Sequence, residues 1–417
     1  MESEIKVITY PNGEIQRVQM VRFRDWGRLD FLHPTPDASA LDCFADIYEN
    51  YLIPACPWIF PKLVLSWDSV KESTEVTKNR VVRGKLPGTK NIIVDNICGY
   101  LSQTEPEAAM KVNASFFIMD PIDCATKYDH VGTTLGLCVK NGEVLNPPLF
   151  HREALLVDKS GNVEVKAVDI RELGIEIDGK MYWHGENATI YTRPECKKTP
   201  KDATTKLVVI GRSVVDVKDG GSVPVPASGF VVSIKENTGG RSKKRKVAAG
   251  DVRTERITAI PDGTVTYHGL SHIRFGIQVG NSVIRDGVKT EKFISRFYNI
   301  RKLERVPFPP SLYPMDYEKA RAARIVLGAD KEGNPMLLWA EGAGKLRYIP
   351  GEDSCGASLS EMADIAAELG MHHGVHLDGG GSAQILLHNQ RSLKISDRNK
   401  NDNSEAERLV PLGLIIK

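Results

Sequence analysis

The residues with the clearest chemical potential form the run His376-Leu377-Asp378-Gly379-Gly380-Gly381-Ser382. Val375 and Leu377 alternate with His376 and Asp378, which is typical of a short strand whose two faces differ. Glycines have no Cβ, so their backbone N–H groups can approach a ligand closely and positive φ is allowed. A carboxylate beside such a row of N–H donors suits acid or base chemistry next to an anion. A tight glycine turn with a surface aspartate is the alternative interpretation, and this motif alone does not separate the two.

Four more polar residues stand in or beside apolar runs that a sheet could present to a ligand. They are Asn113 in the run 111–117, Arg152 after a hairpin at 141–149, Arg324 at the start of the run 324–328, and Arg408 just before the C-terminal strand. A guanidinium group matches two phosphate oxygens at once, so the three arginines are candidate phosphate-binding residues. Each arginine alone is also typical of a surface ion pair.

The elements that must position these residues are mainly short strands. β-type runs separated by Gly, Pro, Asn or Asp occur at 63–67, 91–95, 136–139, 154–157, 206–210, 229–234, 275–279 and 325–327. Helical spacing is convincing at only two places, near 103–111 and at 358–369. We therefore predict an α+β fold that is sheet-dominated and mixed, with few helices.

The chain divides into an N-terminal extension and one catalytic domain. Residues 1–61 combine a predicted hairpin, with its turn at Pro11-Asn12-Gly13, and a segment rich in aromatic residues and proline. We predict that this extension packs on the main body, with binding of a partner as the alternative. Residues 62–417 are predicted to form the catalytic domain.

Composition excludes several classes of protein. Lys and Arg number 55 against 53 Asp and Glu, so no strong global field attracts nucleic acid or a membrane surface. The seven scattered cysteines have neither disulfide nor zinc spacing. No signal peptide and no apolar run long enough to span a membrane is visible, which predicts a cytoplasmic protein.

Two clusters invite other hypotheses. The basic run 239–247 is typical of an import signal or a nucleic-acid patch, but it lacks interleaved aromatic residues, and a solvated hairpin tip is the favoured interpretation. His372, His373 and His376 near Asp378 suggest a metal site. Neighbouring residues of a regular strand point to opposite faces, so we predict no metal and no cofactor.

The motifs together resemble the phosphodiester glycosidase family, whose best-known member removes N-acetylglucosamine from a sugar phosphodiester. The similarity covers residues 85–417 in the family's order. It comprises Asn113–Phe117, with Ala114 and Ser115 in place of glycines, Arg152, the hairpin 280–287, the strand 324–328, the signature 376–383 and the stretch 408–411. His376 stands where the family has Asn, and Glu341-Gly342-Ala343 stands where it has Asp-Gly-Arg.

This resemblance implies a hydrolase that cleaves the glycosyl bond of a small-molecule or glycan phosphodiester. Asp378 is the first candidate for a carboxylate at the anomeric carbon, Glu341 the second, and Asn113 would orient a carboxylate or bind a sugar hydroxyl. A phosphate cradle would comprise Arg152, Arg324, Arg408, His376, Gly379, Gly380, Gly381 and Ser382. The alternative is a non-catalytic protein that binds phosphosugars or nucleotides on the same fold.

Overall fold

The computed structural model describes residues 1–35, 98–118, 126, 128–149, 152–193, 195–234, 265–291, 293, 321–344, 348–399 and 402–417, with strand backbone at 75–76, 81–85 and 91–95. The predicted strand 63–67, the basic run 239–247 and the predicted boundary at 61 lie outside the described residues.

Strands make up most of the regular structure, as predicted. The first fourteen strands are β1 (Glu2–Thr9), β2 (Ile15–Arg22), β3 (Leu29–Leu32), β4 (Glu75–Val76), β5 (Val81–Lys85), β6 (Asn91–Asp95), β7 (Met110–Asn113), β8 (His130–Val131), β9 (Cys138–Lys140), β10 (Glu143–Asn146), β11 (Arg152–Asp158), β12 (Val163–Val168), β13 (Gly174–Ile177) and β14 (Lys180–Tyr182).

The remaining strands complete the sheets. They are β15 (Ala188–Thr192), β16 (Asp202–Ile210), β17 (Ser213–Gly221), β18 (Gly229–Ile234), β19 (Val265–His268), β20 (Ile273–Ile277), β21 (Ser282–Arg285), β22 (Val288–Lys289), β23 (Arg324–Ala329), β24 (Pro335–Ala340), β25 (His373–His376), β26 (Ile385–Leu387) and β27 (Gly413–Ile416).

The largest sheet is antiparallel, in the order β1-β2-β24-β23-β25-β21-β22. Its central strands β23 and β24 are buried along their whole length, which explains their continuous apolar sequences. A five-stranded sheet, β10-β9-β20-β11-β12, and a four-stranded sheet, β26-β7-β27-β3, contribute to the main hydrophobic core. Three smaller sheets have the orders β14-β13-β19, β15-β18-β16-β17 and β4-β5-β6-β8.

The helix predicted at 358–369 is confirmed as α1 (Leu359–Glu368). Ser358 caps it by accepting from the Glu361 amide, and the Glu361 carboxylate accepts from the Ser358 amide, which forms a capping box. Leu359, Met362 and Ala366 lie in one buried cluster with residues of the large sheet. The helix therefore covers one face of that sheet and fixes the approach to β25.

The helix predicted near 103–111 is wrong. Residues 101–109 form turns, and β7 begins at Met110. Glu105 has a φ of 47°, in the left-handed region, and Pro106 follows it, so the chain cannot continue a right-handed helix there.

The N-terminal segment supplies strands to two sheets. The hairpin predicted around Pro11-Asn12-Gly13 is confirmed as β1 and β2, with Gly13 at a φ of 83° in its turn. β2 pairs with β24 in the large sheet, and β3 pairs with β27. Residues 1–35 are thus built into the sheets that carry the site.

Within the described residues, no helix has the length and apolar character that crossing a membrane requires.

Candidate active site

The ends of three neighbouring strands bring polar residues together at one end of the large sheet. β25 runs antiparallel to both β23 and β21, so its C-terminal end lies beside the starts of those strands. The His376 amide donates to the Asn281 carbonyl at 2.9 Å, and the Leu377 amide donates to the Ile325 carbonyl at 2.9 Å. His376, Asn281 and Arg324 are therefore neighbours although they are far apart in the sequence.

The glycine loop follows β25 directly, and two of its glycines are required by close neighbours and one by its backbone conformation. A Cβ on Gly379 would lie 2.7 Å from the Ala323 carbonyl oxygen, which leaves no room for a side chain. Gly380 has a φ of 60° and open space around it, so its requirement is conformational. A Cβ on Gly381 would lie 2.2 Å from both Arg408 Nη2 and Asp397 Oδ2.

Some backbone amides of this loop are already engaged in hydrogen bonds within the protein. Gly380 donates to the Ala323 carbonyl at 2.8 Å, and Ser382, which is buried, donates to the Gly379 carbonyl at 3.3 Å. The amides of Gly379 and Gly381 donate to no acceptor in the part of the chain that the structure describes. These two amides, and not the full row of three, are the loop's candidate donors to an anion.

Asn113 fastens both ends of the glycine loop. Its Nδ2 donates to the Asp378 carbonyl at 2.7 Å, while its Oδ1 accepts from the Gln384 amide at 2.9 Å. The Asp378 amide in turn donates to the Ala114 carbonyl at 2.8 Å. The Asn113 side chain thus holds the backbone of the candidate carboxylate residue, and the half-buried Asp378 side chain is presented from a fixed position.

His376 is completely buried, and neither ring nitrogen has a hydrogen-bond partner among the described residues. Burial lowers the pKa of His376 well below its usual value, and the positive charges of Arg324 and Arg152 lower it further. Its ring fits between two glycines, because a Cβ on Gly280 would lie 2.8 Å from Nδ1 and one on Gly379 would lie 3.3 Å from Nε2. The side chain is therefore a neutral imidazole near two guanidinium groups.

Arg152 and Arg324 approach this histidine from different elements. Arg152 opens β11 of the five-stranded sheet and donates from Nη1 to the Val279 carbonyl at 2.8 Å. Arg324 opens β23 and donates from Nε to the Ala357 carbonyl at 3.1 Å. Both side chains are buried, so their charges act on His376 with little screening by solvent.

Asn281 is a further candidate site residue that the sequence did not reveal. It is 5% exposed, and its Nδ2 has no hydrogen-bond partner within the described residues. Its backbone carbonyl binds the His376 amide, so the two residues with unpartnered polar groups are adjacent. The only sequence signal was its place directly after Gly280 at the start of the predicted hairpin.

Arg408 lies beside the glycine loop in a pair with Asp397, a second residue that the sequence analysis missed. Its Nε and Nη2 lie 2.9 Å and 2.7 Å from Asp397 Oδ2, and both side chains are buried. Because Gly381 packs directly against this pair, Arg408 touches the loop with part of its charge balanced by a carboxylate. Asp397 occurs in the polar stretch 396–404, which has no periodicity to mark it.

Glu341 lies on the side of Arg324 that faces away from β25. Its Oε2 accepts from Arg17 Nη1 at 3.0 Å and from Ser354 Oγ at 2.6 Å, and its Oε1 accepts from the Lys394 amide at 2.7 Å. These bonds join β2, the end of β24 and two loops. As observed, the carboxylate acts as a structural clamp.

His372 and His373 meet Asp286 at the turn between β21 and β22, apart from His376. The two imidazole rings lie 4.8 Å apart, and ligand atoms of all three residues lie within 4.8 Å of one another. His373 Nδ1 accepts from the Asp286 amide at 3.4 Å, which leaves the proton on Nε2, the nitrogen that faces Asp286 Oδ1 at 3.8 Å. The Nδ1 lone pair of His373 is therefore used by the Asp286 amide, and in this arrangement the three residues form a polar contact.

Comparison with known protein families identifies the class of protein to which the chain belongs. A family model described as phosphodiester glycosidase matches residues 203–417, just over half of the chain. The chain belongs to the phosphodiester glycosidase family, which confirms the resemblance drawn from its motifs. The match includes Arg324, His376, the glycine loop and Arg408, whereas Asn113 and Arg152 precede it.

Three solved structures are similar to this chain at low identity, and each alignment covers 100% of it. A hypothetical protein from Synechocystis has 15% identity and a TM-score of 0.46; the chain spans 62% of its length. The zebrafish N-acetylglucosamine-1-phosphodiester alpha-N-acetylglucosaminidase catalytic domain, auto-inhibited by its pro-peptide, has 12% identity and a TM-score of 0.42, with 82% of it covered.

The third structure is a putative exported protein from Burkholderia pseudomallei K96243, with 12% identity, a TM-score of 0.41 and 96% of its length covered. No curated protein matches the chain.

Proposed function

We propose that this protein hydrolyses the glycosyl bond of a sugar phosphodiester. The observation that carries the proposal is the buried His376 near Arg152 and Arg324, with unpartnered polar atoms on His376 and Asn281, beside a glycine loop. Buried polar atoms in native proteins nearly always have a protein or water partner. Leaving one without any costs about 1–3 kcal/mol, so such a cluster needs a polar partner, which a bound ligand would supply.

The charge of the cluster favours a phosphate group. Arg152 and Arg324 place two buried guanidinium groups near His376, and a guanidinium group matches the oxygens of a phosphate in this poorly solvated place. The neutral His376 adds one N–H donor and one acceptor, and Asn281 adds a further donor. The amides of Gly379 and Gly381 are fixed dipoles that would stabilise negative charge growing on the phosphate oxygens.

Asp378 is the proposed carboxylate at the anomeric carbon. In the reaction, the bond between C1 and the phosphate oxygen breaks, the phosphate monoester leaves with the electron pair, and water supplies the new hydroxyl on C1. The leaving group is a stable anion, so it needs less help from an acid than the leaving group of an ordinary glycoside. Asp378 would stabilise the positive charge on the sugar or activate the water.

The other candidate residues receive positioning roles in this proposal. Asn113 holds the loop, Arg408 supports Gly381 together with Asp397, and Glu341 ties β2 to β24. We therefore expect Glu341→Gln to lower stability more than turnover, because Glu341 already accepts three hydrogen bonds from the protein.

Binding without catalysis is the second candidate function. The observation that favours it is the engagement of Glu341, because this second candidate carboxylate already accepts hydrogen bonds from the protein. A protein of this kind would bind phosphosugars or nucleotides through Arg152, Arg324 and His376 and release them unchanged.

Incubation with a panel of nucleotide sugars and simple glycosyl phosphodiesters tests both functions. Mass spectrometry would follow release of the free sugar, and calorimetry would follow binding. We expect wild-type protein to release sugar, and Asp378→Asn to bind the same compound with turnover reduced by a factor of about 10³ or more. Asp364→Asn, an exposed aspartate on α1, is the matched control and should keep full turnover.

The outcomes separate the two candidates. Tight binding by wild-type protein with no sugar released would support the binding function and contradict hydrolysis. Full turnover in a folded Asp378→Asn variant would contradict the proposed role of Asp378.

A further inference from the structure

β1 is an exposed edge strand of unusual regularity. It pairs with β2 over eight residues without a register shift, and no described strand borders its other side. Ile5 is 42% exposed and Val7 is 58% exposed, so the strand presents apolar side chains to solvent. A long, flat edge of this kind is a template for pairing with another strand.

The turn of the hairpin determines which backbone N–H and C=O groups of β1 face β2 and which face outwards. The Tyr10 amide donates to the Glu14 carbonyl across the hairpin at 2.8 Å. Backbone groups alternate sides along a strand, so those of Ile8, Lys6 and Glu4 also face β2. The backbone groups of Ser3, Ile5 and Val7 consequently face outwards, where they can pair with a further strand.

The charges on β1 select one register for pairing with a second copy. If two β1 strands pair antiparallel with Ile5 opposite Ile5 of the second copy, Glu4 lies opposite Lys6 of that copy, and Lys6 lies opposite its Glu4. Centring the pair on Glu4 would bring Lys6 opposite Glu2 of the second copy but would also place two glutamates face to face. Centring it on Lys6 would place two lysines face to face, so only the Ile5-centred register combines opposite pairs with no like pair. Opposite charges across a strand pair stabilise it, and like charges destabilise it.

We propose that this protein forms a two-fold symmetric homodimer in which β1 strands pair antiparallel about Ile5 and join the two large sheets into one. Ser3, Ile5 and Val7 then exchange backbone hydrogen bonds with Val7, Ile5 and Ser3 of the second copy. Ile5 and Val7 of both copies lie on one face and shield each other from water, while the Glu4–Lys6 pairs lie on the other. The charges that would repel an unrelated strand thereby become complementary.

Exchanging the charges of Glu4 and Lys6 in the full chain tests the proposed pairing register of the two β1 strands. Sedimentation velocity over a range of protein concentrations should show a dimer for the wild type. Lys6→Glu and Glu4→Lys each place like charges opposite one another, and each should weaken the dimer roughly tenfold or more. The double variant Glu4→Lys/Lys6→Glu restores the opposite pairs and should restore the wild-type dimer.

Glu2→Lys is the matched control, because it makes the same charge change on the same strand but lies opposite the uncharged Ile8 in this register. It should leave the dimer unchanged. A monomeric wild type, or a dimer that both single variants and the double variant leave equally strong, would overturn the proposal. Circular dichroism would verify that every variant is folded, as expected for substitutions at exposed positions.

Discussion

The burial and surroundings of the His376 side chain are unfavourable for folding. The imidazole is completely buried, has two unpartnered nitrogens, and lies close to two positive charges. Each of these features opposes folding, and protonation of the ring would add a third buried charge. A bound polar ligand would offset these costs. The pH dependence of the free energy of unfolding would report the protonation of His376.

We predict that protonation of His376 destabilises the protein in mild acid. Its pKa in the folded state lies well below the usual 6.5, because of burial and then of Arg324 and Arg152. Below pH 6.5 the unfolded chain takes up a proton that the folded protein refuses, so the free energy of unfolding falls as the pH drops towards the folded-state pKa. For this one group the fall reaches about 1.4 kcal/mol per pH unit.

Urea unfolding at several pH values between neutral and mildly acidic conditions would measure this fall. His376→Gln removes the titrating group, so its free energy of unfolding should depend less steeply on pH than that of the wild type. The other buried histidines contribute equally to both proteins, and their effects cancel in the difference. Identical pH dependence in the two proteins would contradict the account.

The glycine loop after β25 is held in shape by a residue from another sheet, Asn113. Asn113 ends β7, and β7 pairs with β26 directly after the loop. One side chain thus fixes the loop at both Asp378 and Gln384. An asparagine suits this role because it donates and accepts at the same time.

We predict that Asn113→Ala loosens the loop without unfolding the protein. The Asp378 carbonyl and the Gln384 amide would each lose a buried partner, which should lower the free energy of unfolding by about 2–4 kcal/mol. Turnover should fall as well, because Asp378 is no longer held in place. Asn162→Ala, which affects an exposed turn bonded to Asp158, is the control and should change neither property appreciably.

Denaturant unfolding and steady-state kinetics on the same preparations would check this prediction. Unchanged stability in Asn113→Ala would show that the loop keeps its shape by other contacts.

The sequence reveals elements better than it reveals contacts between them. Strand β18 (Gly229–Ile234) and helix α1 follow from local periodicity and from flanking glycines and caps, and both were predicted. The partner of Glu341 is Arg17, 324 residues away, and no local pattern marks such a pair. Asn281 and Asp397 escaped notice for the same reason, since each gains its meaning only from a neighbouring strand or loop.

At the scale of the whole molecule, the N-terminal hairpin belongs to the sheet that carries the site. Val18 and Val21 of β2 are completely buried, whereas β1 is exposed along most of its length. β2 also supplies Arg17 to the clamp around Glu341. The two strands of one hairpin therefore contribute very differently to the fold.

We predict that deleting residues 2–22 prevents folding, whereas deleting residues 2–9 does not. The longer deletion uncovers the edge of β24 and removes buried apolar side chains, while the shorter one removes a strand that is mostly exposed. Far-UV circular dichroism and thermal unfolding of both proteins would test this. Cooperative unfolding of the longer deletion would show that the hairpin is an independent appendage.

In the proposed reaction, water attacks the anomeric carbon of a sugar phosphodiester at the site around Asp378. Hydrolysis in water enriched in oxygen-18, followed by mass spectrometry of both products, shows which bond is cleaved. Cleavage of the bond between C1 and oxygen places the label in the sugar hydroxyl, and this is the predicted result. Label in the phosphate monoester would mean that the bond between phosphorus and oxygen breaks, which would contradict the account.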